Sequence, residues 1–118
     1  MDISRTIAEM KKQPGFSENV GMVLIHNGVV RGWSRADRSS VSRVEVAVDH
    51  QRIEELRKSF EQRPGIYRIV VEPREGVMEP GDDLLFILVA GDIRENVKPA
   101  LADLLDLIKK EAITKKEM

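Results

Sequence analysis

The 118-residue sequence predicts an α+β domain in which helices cover one face of a mostly antiparallel sheet. Three observations carry that prediction. Apolar residues recur at helical spacing in three separate segments, β-branched runs lie between them, and Gly or Pro breakers divide the two kinds of segment. The order along the chain reads helix, strand, strand, helix, strand, strand, helix. A chain of this size forms one core, so residues 1–118 are expected to be a single domain.

Ile3, Ile7 and Met10 stand at i, i+4 and i+7 behind Asp2, a capping residue type, and Pro14-Gly15 ends the pattern, giving a helix over residues 2–12. The run from Gly21 to Arg31 is strand-like but interrupted by His26-Asn27-Gly28. Asn27-Gly28 suits a type I′ hairpin turn, whereas Gly28 alone suits a bulge in one long strand, and the bulge is preferred. Residues 33–42 lack periodicity and read as an exposed basic loop. Val41–Val48 alternates as a strand, and Ile53, Leu56 and Phe60 then share a helical face until Pro64-Gly65. Ile66–Val71 reads as strand, followed by Pro73, Gly76 and a Pro80-Gly81-Asp82 turn. Leu84–Ala90 is the most continuous apolar run, as in a central strand buried on both faces. The last and longest helix carries Val97, Leu101, Leu104, Leu105 and Ile108, with Asp92 and Glu95 in capping-box spacing. Pro99 inside it implies either a kinked first turn or a regular helix starting at Lys98.

Composition excludes several function classes. With 42% hydrophobic and 33% charged residues the chain can form a packed core. Nineteen Lys and Arg against 20 Asp and Glu leave a net charge of −1, so no global field holds it on nucleic acid or an anionic membrane. Aromatics are 4%, too few for a base-stacking platform. No apolar run approaches the roughly 20 residues of a membrane span, and the charged amino end has no signal-peptide core, so the cytoplasm is the expected address. Cysteine is absent, which removes disulfides, thiolate metal sites and a thiol nucleophile. No phosphate-binding glycine loop or nucleophile elbow occurs, His26 and His50 are far apart in sequence, and neither a metal nor a cofactor is expected. Asp82-Asp83 follows Pro80-Gly81 and is read as turn chemistry.

The basic residues remain. Arg31 ends a strand, Arg35, Arg38 and Arg43 surround the loop, and Lys109, Lys110, Lys115 and Lys116 crowd the carboxyl end. Charge patterning alone fits a solvated surface with favourable cations at a helix C-terminus. Brought together in space, the same residues would form an anion pocket in which Arg offers a planar fork and Lys a point charge or nucleophile.

In their order and spacing these segments resemble the large, catalytic subunit of molybdopterin synthase, over roughly Val20 to Glu117. The landmarks are Gly28-Val29-Val30-Arg31 at a strand end, the stretch GVMEPGD from Gly76 to Asp82, the apolar strand after it, Arg94 opening the long helix, and the lysine pair Lys109 and Lys116. The resemblance implies a hammerhead-like two-layer sandwich that forms a homodimer and binds a small ubiquitin-like sulfur carrier on each subunit, giving a heterotetramer. The carrier's Gly-Gly tail, activated as a thiocarboxylate, would enter a pocket, and its sulfur would pass to cyclic pyranopterin monophosphate in molybdenum cofactor biosynthesis. A cysteine-free chain suits that division of labour, because the sulfur arrives on the partner. The resemblance assigns catalysis to Lys109 and Lys116, which a continuing helix would set on one face, and substrate binding to Arg31, Arg94 and Arg38.

The chain departs from the family pattern in places. Ile93 stands where a His usually precedes the helix-opening arginine, Gly32-Trp33-Ser34 replaces a polar loop, and Lys115 occupies the place of an aromatic. The sequence ends at Met118, where typical members continue with a further arginine for the pocket. These departures define a second expectation, a carrier- or pterin-binding homologue without turnover on the same fold.

Overall fold

The computed structural model describes residues 1–118. Its elements are α1 (Ile3–Met10), α2 (Phe16–Asn19), β1 (Met22–Val29), β2 (Val44–Val48), α3 (His50–Glu61), β3 (Ile66–Pro73), β4 (Gly76–Met78), β5 (Asp83–Gly91), α4 (Arg94–Glu111) and β6 (Ile113–Glu117). They form two three-stranded sheets, in the orders β1-β5-β3 and β4-β2-β6, and every strand pair is antiparallel.

β5 is the centre of the first sheet, as its unbroken apolar run implies. Leu85, Ile87 and Val89 pack on one face against Ile53, Leu56 and Phe60 of α3 and Val97, Leu101, Leu104 and Ile108 of α4. Phe86, Leu88 and Ala90 point to the other face, where Met10, Ile3 and Ile7 of α1 and Phe16 of α2 meet them. The expected helical layer is thus α3 with α4, and the amino-terminal helices add cover on the opposite side. Two covered faces explain why β5 does not alternate with polar residues.

Local chemistry sets several of the boundaries. The Asp2 carboxylate accepts from the Arg5 N–H, and that of Asp49 accepts from the Arg52 N–H, so both helices begin with a side-chain cap. In β1 the register shifts between Gly28 and Val29, so Gly28 marks a bulge and β1 continues past Asn27-Gly28 without a hairpin.

Four expectations need correction. Asp92 and Glu95 do not form a capping box: the Asp92 carboxylate accepts from Ile93 N–H and Asn96 Nδ2, while Glu95 lies 3.5 Å from Arg94. α4 begins at Arg94 and runs through Pro99, so the regular helix does not wait for Lys98. β2 starts at Val44 rather than Val41. Most consequential, α4 stops at Glu111 with Ala112 as its C-cap, and the last residues form β6, paired along β2 from Val48↔Ile113 to Val44↔Glu117. A segment with one apolar residue in five carries little strand signal of its own; β2, distant in sequence, supplies the pairing. The four-residue α2 is likewise too short for a period to show.

Candidate active site

The strand end that carries Arg31 is pinned by the turn downstream. Glu79-Pro80-Gly81-Asp82 closes with Asp82 N–H donating to Glu79 O at 3.0 Å, and Gly81 sits at φ 96°, the left-handed geometry glycine supplies in such turns. Val30 N–H donates to Asp82 O at 2.9 Å and Gly81 N–H donates to Val30 O at 2.9 Å. The two sequence landmarks, GVVR and PGD, therefore lock onto one another, and Arg31 leaves that lock half-buried.

Beside it lies a cleft of about 320 Å³. Arg31 and Arg35 come to it from the segment after β1, His26 from β1 itself, Lys109 from the last turn of α4, and Lys115 from β6, over an apolar floor that includes Leu84, Leu85 and Ile113. No acidic side chain lines it. Burial, with Arg31 and Lys109 nearby, lowers the pKa of the Lys115 ammonium against the opposing pull of Glu117. Burial and then Lys109 lower that of His26. Like charges held together in a partly dry cleft create a positive potential that a bound anion relieves. The Nε of Arg31 and the Nε2 of His26 are both buried without a hydrogen-bond partner in the chain.

The sequence-assigned residues divide. Arg31 and Lys109 meet in this cleft. Lys116 does not, because side chains alternate along a strand: Ile113 and Lys115 stand on the cleft side, Lys115 still exposed, whereas Lys116 stands on the other side, directly across from Glu45. The helical spacing that linked Lys109 with Lys116 ends with α4 at Glu111, and Lys115 is the lysine that reaches the cleft. Arg38, at φ 64°, stacks on Trp33 with its Cζ 4.3 Å from the ring centroid, and Arg31 Cζ lies 4.9 Å from the same centroid. Arg38 thus braces the Trp33 that abuts Arg31 and is not itself a lining residue. Arg94 is 80% exposed at the opposite end of α4, about 22 Å from Lys109 along a helix rising 1.5 Å per residue. Arg35, Lys115 and His26 were not assigned to the site from sequence. For Lys115 the usable signal was the apolar Ile113 two residues before it, the inward phase of a strand.

A family profile described as MoaE protein matches residues 1–111. The chain belongs to the MoaE family. Among its relatives is a probable molybdopterin synthase from Haloferax volcanii, 26% identical over 117 residues, which covers 95% of this chain but 45% of the relative, so the chain spans less than half of that protein's length. The fold is that of the MoaE protein from Burkholderia ambifaria, with a TM-score of 0.78 at 20% identity over 99% of this chain and 76% of the other. It is also that of a chain in the complex of subunits 1 and 2 of the molybdopterin-converting factor from Helicobacter pylori, with a TM-score of 0.71 at 15% identity over 99% and 78% of the two chains. As a MoaE family member, the chain carries its cation-lined cleft on a family fold, between the end of β1 and the α4–β6 junction.

Proposed function

We propose that this chain is the catalytic subunit of a molybdopterin synthase, a sulfurtransferase that takes sulfur from the thiocarboxylated tail of a small ubiquitin-like carrier and delivers it to cyclic pyranopterin monophosphate. The observation that carries the reading is the convergence of Arg31, Arg35, Lys109 and Lys115 on one cleft with no acidic side chain in its lining, in a MoaE-family chain. Both proposed reactants are anions, a carboxyl-terminal tail and a phosphate, and both gain from such a field. The Haloferax volcanii relative, named a probable molybdopterin synthase, and the Helicobacter pylori complex of two subunits support the enzyme and its carrier partner. The absence of cysteine supports a sulfur supply from outside the chain.

In this reading Arg31 holds the phosphate, its guanidinium steadied against Trp33. Lys109 is the acid, base or transient amine nucleophile at the thiocarboxylate. Lys115 takes the place in the site that the resemblance assigned to Lys116 and anchors the anionic substrate, its lowered basicity relieved when an anion arrives. Arg94, remote from the cleft of its own chain, contributes to substrate binding only across an interface with a second copy, which fits the expected homodimer. The cytoplasm remains the proposed address.

Reconstitution tests the proposal: the protein is mixed with thiocarboxylated carrier and pyranopterin monophosphate, and molybdopterin is quantified. Product that disappears with Lys109→Ala supports the enzyme. Carrier binding without product selects the non-catalytic homologue, and binding of neither reactant removes both readings.

A further inference from the structure

His26 is the titratable group of the cleft that the proposed transfer leaves idle. It stands on β1 opposite Ile87, on the side of the sheet that faces α4. Its Nε2 is buried and makes no hydrogen bond within the chain, and Arg31 Nε in the same cleft is in the same condition. Buried polar atoms almost always have partners. Two orphans in one cleft, one an obligate donor and the other a ring nitrogen, match a ligand with an anionic acceptor at one end and an uncharged polar group at the other. Glycine fits the ring's position: a Cβ at Gly28 would stand 3.1 Å from His26 Nε2, so glycine at that bulge leaves the nitrogen uncrowded by its own strand.

We infer that His26 is a ligand-contacting residue of the cleft, its Nε2 accepting a hydrogen bond from an N–H or O–H of the uncharged, heterocyclic part of the substrate while Arg31 and its neighbouring cations hold the phosphate. The inference rests on the cleft being the pterin phosphate site. The charged groups that line the cleft with the imidazole are all cations, Lys109 on α4, Lys115 on β6, and Arg31 and Arg35 beyond β1, while β5 offers Leu84 and Leu85, and Lys109 is the one that acts on the ring. That surrounding keeps the ring neutral, in the same direction as the effect of burial, and favours a lone pair over an N–H inside the cleft. An imidazole less basic than free histidine is a poor acceptor for an ammonium proton. A fixed hydrogen-bond acceptor is therefore the better role than general base to Lys109. A pterin ring, with amide and amine N–H groups along its edge, is a donor of the required kind.

The chain has two histidines, and the exposed His50, paired with Glu75 at 3.0 Å, serves as an internal reference. Protein labelled with nitrogen-15 at histidine is titrated with a stable pterin monophosphate and, separately, with inorganic phosphate, while ring nitrogens are followed by NMR. The pterin monophosphate is expected to move the His26 Nε2 resonance and leave His50 in place, and inorganic phosphate to leave Nε2 without a hydrogen-bond shift. His26→Leu is expected to weaken pterin monophosphate binding about 3- to 10-fold, the range of one neutral hydrogen bond, without weakening inorganic phosphate, and His26→Gln to restore part of the loss. Because the spectroscopic readout uses the unsubstituted protein, it stands even if a variant folds poorly. Pterin monophosphate binding that depends on Arg31 but leaves the His26 resonance and the His26→Leu affinity unchanged overturns the inference and spares the cleft. Failure of the unsubstituted protein to bind pterin monophosphate overturns both.

Discussion

Replacing Lys115 by Ala removes one ammonium from the inner side of β6, where it faces Arg31 and Lys109. A charge-assisted hydrogen bond to an anionic substrate contributes about 1.5–3 kcal/mol, and each 1.36 kcal/mol is a factor of ten in rate. Lys115→Ala should therefore lower kcat/KM for sulfur transfer about 10- to 150-fold. The fold should tolerate the change, because burial and the neighbouring cations already disfavour that charge. Lys115→Met, which keeps the apolar stem, separates lost charge from lost packing. Lys116 supplies the control: exposed on the other side of the same strand and opposite Glu45, it should cost no more than about 0.5 kcal/mol, roughly a factor of two. The assay is single-turnover transfer from thiocarboxylated carrier, with circular dichroism to verify folding. A large loss with Lys116→Ala alongside near-normal Lys115→Ala would refute the strand phase on which the site is built.

Three further outcomes are expected. Leu104, fully buried between α4 and the sheet, should cost about 2–5 kcal/mol when truncated to Ala, read as a lower urea midpoint with an unchanged slope. If Arg94 serves the cleft of a second copy, Lys109→Ala and Arg94→Ala chains, each inactive alone, should recover about a quarter of normal activity when unfolded together and reassembled, since half of the dimers are mixed and each has one intact site; no recovery would exclude service in trans. His26 has a folded pKa below its reference of 6.5, so on acidification the unfolded chain takes up that proton first. The stability it contributes is fully present above pH 6.5 and is lost as pH falls through the lowered folded value. Urea denaturation at pH 7.5 and pH 5.5 should show a smaller loss for His26→Leu than for the natural chain, the carboxylates being common to both.

Much of the fold was legible because it is encoded in short stretches. Ile3, Ile7 and Met10 behind Asp2, Ile53, Leu56 and Phe60 before Pro64-Gly65, and the run Leu84–Ala90 each carry their own period and their own stop. The bulge at Gly28 and the Pro80-Gly81 turn were readable for the same reason. β6 was not, because its pairing comes from β2, more than sixty residues earlier, and the lysines seven apart suggested a helix that ends two residues after Lys109.

By itself the sequence determined the elements with strong local periods, the class they build and the resemblance to a family, and it singled out Arg31 and Lys109, two residues that meet in the cleft. Tertiary structure alone decided that the final segment is a strand, that Lys115 and not Lys116 turns inward, that Arg35 and His26 join them, and that Arg94 lies at the far end of its helix. The physical reason is one of range. Helical and strand periods are written in neighbouring residues, whereas the side of a strand that faces a cleft is fixed by hydrogen bonds to a partner far away in the chain. A shift of one residue in that pairing exchanges one lysine for the other.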